Sequence, residues 1–183
     1  IGGLDYGEVP EVLKTFLAYS GNYGGTDKKA SIWGSAEETS VFQAAFLNGI
    51  LGHALELDDV HTGSKTHIGA ACLPAVWAVA EAVNATGAQV VEAVVAAYET
   101  MARIGKGFGV ADHRLKGWHV SGTAGTFGAA AGAGKILGLD ERQMLYALGM
   151  AGTQSSGLWA FLEDGATSKK MHTGRAAENG VTA

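Results

Sequence analysis

GTAGTFGAAAGAGK, Gly122 to Lys135, decides the fold class. Glycine costs a helix about 1 kcal/mol relative to alanine, yet here it alternates with alanine between two helix-end signals, Ser121 as a cap and Gly138 as a stop. The simpler reading is close helix packing, because small residues let backbones approach; the other is room for a ligand against the Ser121 helix. The 28 glycines of the chain, beside only 2 prolines, therefore do not make it a chain of loops.

The helical period extends in both directions. Thr39 or Ser40 caps a helix through Val41, Phe42, Ala45, Phe46, Asn48, Leu51 and Leu55, which ends in the acidic stretch that follows. Pro74 fits the first turn of a second helix, Leu73 to Val83, which stops before the NATG of Asn84 to Gly87; a third runs from Gln89 to about Ile104. Beyond the Ser121 helix, Asp140 and Gln143 read as a capping box for a further helix through about Gly152. No alternating strand is read anywhere. The expectation is all-α, with residues 1–183 one helical unit of a larger domain.

Composition narrows the function. At 183 residues, 47% hydrophobic and 17% charged, the chain has neither the charge excess nor the low complexity of a disordered segment. A net charge of -5 without a basic stripe argues against nucleic acid as partner, and no stretch reads as a membrane span or a membrane-surface helix. A small molecule is the expected partner. Cys72 is the single cysteine, so no intrachain disulfide forms and a reducing compartment is expected: the cytoplasm, or the mitochondrial matrix in a eukaryote.

Against this apolar background, HALELDDVHTGSKTH, His53 to His67, gathers three histidines with Glu56, Asp58 and Asp59. A helix reaching Leu57 would crowd carboxylates at its C-terminal end, where the macrodipole disfavours anions by roughly 0.3–1 kcal/mol each. Such a break of a local rule marks a functional site more often than a stability device; the plain alternative is a solvated, charged helix exit. Three chemistries can use the cluster. A metal site is disfavoured by spacing, since neither HExxH nor Glu-x-x-His occurs. Prenyl-diphosphate chemistry wants a further aspartate one turn on and a second such helix, and neither is found. Metal-free acid/base work by histidines, oriented by carboxylates, remains.

Two later segments favour it. His119 precedes the Ser121 cap, near a helix N-terminus that attracts anions and favours neutral imidazole. Lys169, Lys170, His172 and Arg175 form a dense cationic group after a glycine-rich turn. Singly each has an ordinary structural or surface reading. Together they supply what a carboxylate substrate needs: cations for its charges and histidines for its protons.

These segments, FLNGILGHALELDDVH with THIGAACLPAVWAVAEA, GWHVSGTAGTFGAAAGAGKILGLD and GTQSSGLWAFLEDGATSKKMHTGRAAENG, resemble in order the MmgE/PrpD family over roughly Gly34 to Ala183. That family includes 2-methylcitrate dehydratase, cis-aconitate decarboxylase and iminodisuccinate epimerase. The resemblance implies a helical domain joined to a smaller α+β lid domain that this chain lacks, a homodimer, no metal, no organic cofactor, and a di- or tricarboxylate substrate. His67 matches the histidine of the family's His-Pro motif, His119 that of Gly-Phe-His, and Lys169 the lysine of Thr-Lys-x-Leu-His. Glu56, Asp58 and Asp59 match the aspartates of Leu-Asp-Phe-Asp-Asp. Ile68 stands for the usual proline, Glu56 for aspartate and Trp118 for phenylalanine, and the spacing around Val60, His61 and Thr62 differs by a residue from some members.

The resemblance thus assigns catalysis to His67, His119, Lys169, Asp58 and Asp59, and substrate binding to Glu56, Lys170, His172, His61 and Thr62. The expected activity is that of a metal-independent lyase working beside a carboxylate, with 2-methylcitrate dehydratase-like loss of water placed first. Decarboxylation and epimerisation are alternatives built from the same parts, and LELDDVH in place of LDFDD leans away from the 2-methylcitrate enzymes proper. An alternative of another class is a non-catalytic helical fragment or interaction module. The chain is also short for the family, so a fragment that is inactive alone is expected.

Overall fold

A computed structural model describes residues 30–183, together with Glu11 and Lys14. Ala30–Ser31 (β1) and Glu38–Thr39 (β2) pair antiparallel, Ala30 with Thr39 and Ser31 with Glu38. Beyond this two-stranded ribbon every regular element among the described residues is a helix, as the all-α reading expects.

Helix α1, Val41–His53, starts where Ser40 Oγ accepts the Gln43 amide at 3.4 Å. It does not continue to Leu57. The chain turns out at Glu56, whose φ of +52° lies in the left-handed region, so the three carboxylates escape the unfavourable helix C-terminus. Helix α2, Ile68–Ala82, begins five residues ahead of the expected Leu73 and holds Pro74 in its interior. Its first amides are satisfied from outside the local sequence: Asp59 Oδ1 accepts the Gly69 amide at 2.9 Å, and Ser121 Oγ accepts the His67 amide at 3.1 Å.

Helix α3, Gly87–Gly107, opens with a capping box between Thr86 and Gln89, which makes Gln89 its third residue and moves its start ahead of the expected one. A short α4, Val110–Leu115, was not expected. In α5, Val120–Ile136, the capping position belongs to His119; Ser121 lies inside the first turn, its hydroxyl engaged by His67. Gly138, at φ +70°, ends that helix. Helix α6, Glu141–Gln154, carries the expected Asp140–Gln143 capping box. A one-turn α7, Phe161–Asp164, precedes α8, Lys169–Thr182, also absent from the sequence reading.

Helix α5 lies at the centre, packed against α2, α3, α6 and α8. Close packing is what its glycines serve: a Cβ on Gly128 would fall 2.7 Å from both Cys72 Sγ and Met101 Cβ. The α1–α8 crossing is as tight, with a Cβ on Gly49 reaching 2.5 Å from the Gly174 Cα. Alanine and glycine surfaces at such distances gain dispersion contacts along whole backbones, which offsets their poor helix propensity. No described helix is long and apolar enough to cross a membrane.

Candidate functional site

Three helices begin at one place. His67 occupies the capping position of α2, His119 that of α5, and Lys169 is the first residue of α8; in none of the three does the capping residue's own side chain close the end. The His67–Ser121 bond joins the first two starts, and a 3.0 Å contact between His119 Nδ1 and His172 Nδ1 joins the last two. Three positive dipole ends therefore converge, a setting that attracts anions.

The turn at Glu56 brings Asp58 back beneath the end of α1. His53 Nδ1 lies 3.0 Å from both carboxylate oxygens of Asp58, and His67 Nδ1 lies 3.1 Å from Oδ2, at ion-pair distance though off the hydrogen-bond direction. The two rings meet edge to face, 4.5 Å between centroids. Burial alone would raise the Asp58 carboxyl, but the two imidazoles hold it well below the usual carboxylate range. His53 is fully buried and its Nε2 has no hydrogen-bond partner among the described residues.

The second imidazole pair has no carboxylate partner among the described residues. His119 is 2% exposed. Burial, then the neighbouring His172 and Lys169, then His53 and His67, push its pKa down to about 3. Burial and His53 lower His172 as well. Trp159 and Phe161 flank His119 at centroid distances of 5.3 and 5.4 Å. An antiparallel bridge delivers them: the His119 amide donates to Gly157 O and the Trp159 amide to Gly117 O, at 2.9 and 2.8 Å.

Both rings also line an open cleft of about 480 Å³ with Glu56, Lys169 and Lys170. Across it Lys169 Nζ pairs with Glu56 Oε2 at 2.5 Å. Burial opposes ionisation of Glu56, but the Lys169 bond and charge outweigh it and lower the carboxyl. Lys169, Lys170, Glu56, His119, His172, His67 and Asp58 thus share one region.

The remaining sequence assignments are placed differently. Asp59 accepts the Gly69 amide and lies against the Tyr98 hydroxyl, whose pKa burial and Asp59 raise; its contacts are those of a helix cap. His61 Nδ1 is 2.7 Å from Ser64 Oγ in a turn closed by the His61 amide on Thr66 O. Thr62 is exposed on that turn. Neither is tied to the imidazole cluster by a hydrogen bond or ion pair among the described residues. The sequence assignments omitted His53, Trp159 and Phe161. His53 was visible at the edge of the acidic stretch, whereas nothing local pointed to the aromatic pair.

Among the described residues, His53, Asp58 and His67 are the one group whose ligand atoms, within 4.8 Å of one another, are close enough to share a metal ion. Direct His53–Asp58 hydrogen bonds engage the carboxylate there, an arrangement that also suits a purely organic acid/base cluster.

Comparison with known proteins agrees with this architecture. The family model described as the MmgE/PrpD N-terminal domain matches residues 1–183. A cis-aconitate decarboxylase-like protein, oryM, of Aspergillus oryzae is 36% identical over 145 residues, covering 75% of this chain and 30% of that protein. Cis-aconitate decarboxylase of Aspergillus terreus is 34% identical over 153 residues, 81% of this chain and 31% of the enzyme. The human cis-aconitate decarboxylase is 30% identical over 183 residues, 97% of this chain and 37% of the enzyme. The chain spans about a third of the length of these curated relatives.

Proposed function

The chain belongs to the MmgE/PrpD family, and from that premise we propose that it supplies one wall of a metal-independent lyase site that decarboxylates a di- or tricarboxylate of the cis-aconitate kind. The observation that carries this reading is the meeting of His67, His119 and Lys169 at three helix starts, with Lys169, Trp159 and Phe161 lining the adjoining cleft. Relatives named as cis-aconitate decarboxylases favour this outcome over loss of water, which would use the same residues.

In the reaction, Lys169 exchanges Glu56 for a substrate carboxylate, with Lys170 and the positive N-terminal ends of α5 and α8 taking further negative charge. The bond from carbon to a second carboxylate breaks against the aromatic wall, where low polarity favours loss of charge as carbon dioxide. The electron pair left behind delocalises toward the remaining carboxylates. It then takes a proton from the His67 imidazolium, with the ionised Asp58 and His53 behind it compensating the positive charge while the proton is held. His119 binds and stabilises the developing anion, with His172 in contact behind it. Asp59 acts indirectly by fixing the start of α2, and His61 and Thr62 hold the intervening turn.

In the same reading residues 1–183 are one helical unit of a larger domain, the whole protein is a homodimer, and its compartment is the cytoplasm or mitochondrial matrix. Leu145, Tyr146 and Met150 support coverage by further protein, since α6 exposes them by half or more. The test is an assay of the full-length protein on cis-aconitate. Carbon dioxide release is expected; loss of water from a hydroxy-tricarboxylate without any decarboxylation would replace this reading.

A further inference from the structure

The 3.0 Å separation of the His119 and His172 Nδ1 atoms leaves few ways to place protons. Two lone pairs facing each other repel, and two N–H groups would collide, so one proton lies between the rings. We propose that His172 is a positioning residue for His119: its Nδ1–H donates to His119 Nδ1, fixing His119 as the neutral Nε2–H tautomer and so as an uncharged hydrogen-bond donor to a substrate carboxylate. This rests on the carboxylate-lyase reading above.

The direction of the bond follows from the surroundings. His119 Nε2 has no hydrogen-bond partner among the described residues, and the ring is flanked by Trp159 and Phe161, which line the cleft. Lys169 and the positive N-terminal ends of α5 and α8 make the region one of donors. A lone pair at Nε2 would repel the anion those donors attract, whereas an N–H would bind it. His172 is the less buried ring, so its own Nε2 lone pair is the more readily satisfied by water. Deep burial and the cation Lys169 keep His119 uncharged. A neutral imidazole at a helix N-terminus is a known way to polarise a developing oxyanion without giving up a proton.

The full-length protein labelled with ¹⁵N-histidine tests this by two-bond ¹H–¹⁵N spectra, with His119 assigned by its loss in His119→Gln. An unprotonated Nδ1 and a protonated Nε2 are expected at His119. In His172→Phe, turnover on cis-aconitate should fall about ten- to a hundredfold, toward the scale of losing an oxyanion donor, with a smaller change in KM. His172→Asn, whose amide N–H can donate to Nδ1, should recover part of it. A proton on His119 Nδ1 in the wild type, or unchanged turnover in His172→Phe, would overturn the assignment. If the wild type does not decarboxylate cis-aconitate, the lyase reading falls while the spectra still decide the tautomer.

Discussion

The two imidazole pairs of this protein lie side by side and differ by one carboxylate. His53 and His67 have Asp58 between them, at 3.0 and 3.1 Å. His119 and His172 have only each other, with Lys169 as the nearest charge. In the first pair a proton arriving on a ring is compensated by an anion; in the second it is opposed by a cation, by burial and by three positive helix ends. One site thus contains a pair suited to carrying a proton and a pair suited to donating hydrogen bonds while neutral. Division of labour between like residues through their environment is a general route to acid/base chemistry at neutral pH.

The sharpest way to break this contrast is to remove the carboxylate. Asp58→Asn keeps the shape but leaves the first pair without its anion, so turnover of the full-length protein should fall by roughly 10²-fold or more, the usual scale of acid/base catalysis. Steady-state kinetics on cis-aconitate checks this, and a loss of twofold or less would show that the two pairs do not differ as argued. Next in size is Lys169→Met, which removes the cation facing His119 and, in the proposed reaction, the partner of a substrate carboxylate. KM should rise about tenfold or more, because a charge-assisted hydrogen bond is lost.

The contrast also predicts the acid limit of stability. His119 titrates at about 3 in the folded protein against 6.5 ordinarily, so folding favours its unprotonated form. As pH falls below about 6.5 the unfolded chain takes up a proton that the folded one refuses, and stability declines from there toward pH 3. Asp58 adds to the decline lower down: its contribution is complete above its ordinary value of 3.8 and is lost as pH falls through its depressed folded value. Urea midpoints of the full-length protein between pH 7 and pH 4.5 should therefore drop, and drop less in His119→Gln. Equal slopes for the two would contradict the burial of a neutral His119. The smallest expected effect is that of metal removal. Chelation and dialysis should leave turnover unchanged, and loss of activity restored by a stoichiometric divalent ion would turn His53, Asp58 and His67 into ligands.

How much of this was legible depends on how local each cause is. Ser40 and the Asp140–Gln143 box lie beside the helices they start, and both were read correctly; so was the packing role of the glycines on α5. The early start of α2 was hidden because its amides are held by Asp59 and by Ser121, the latter 54 residues from His67. Helix α8 lacks a side-chain cap and carries Gly174 and Gly180, so nothing in its own sequence announces it. The crowding of carboxylates after His53 is resolved by ending the helix rather than by tolerating the charges. That turn brings Asp58 onto His53, which therefore escaped the sequence assignments. Trp159 and Phe161 reach the cleft through a bridge between residues 118 and 158, a pairing no period in the sequence encodes.

The most direct measurement is the reaction of full-length protein with cis-aconitate in heavy water, following carbon dioxide and the isotope content of the product, for wild type and Asp58→Asn side by side. Release of carbon dioxide with one solvent deuteron retained on carbon, slowed by roughly 10²-fold in the variant, is the predicted result. Absence of carbon dioxide release by the wild type, or equal rates for the two proteins, would contradict the assignment of proton delivery to the aspartate-bridged pair.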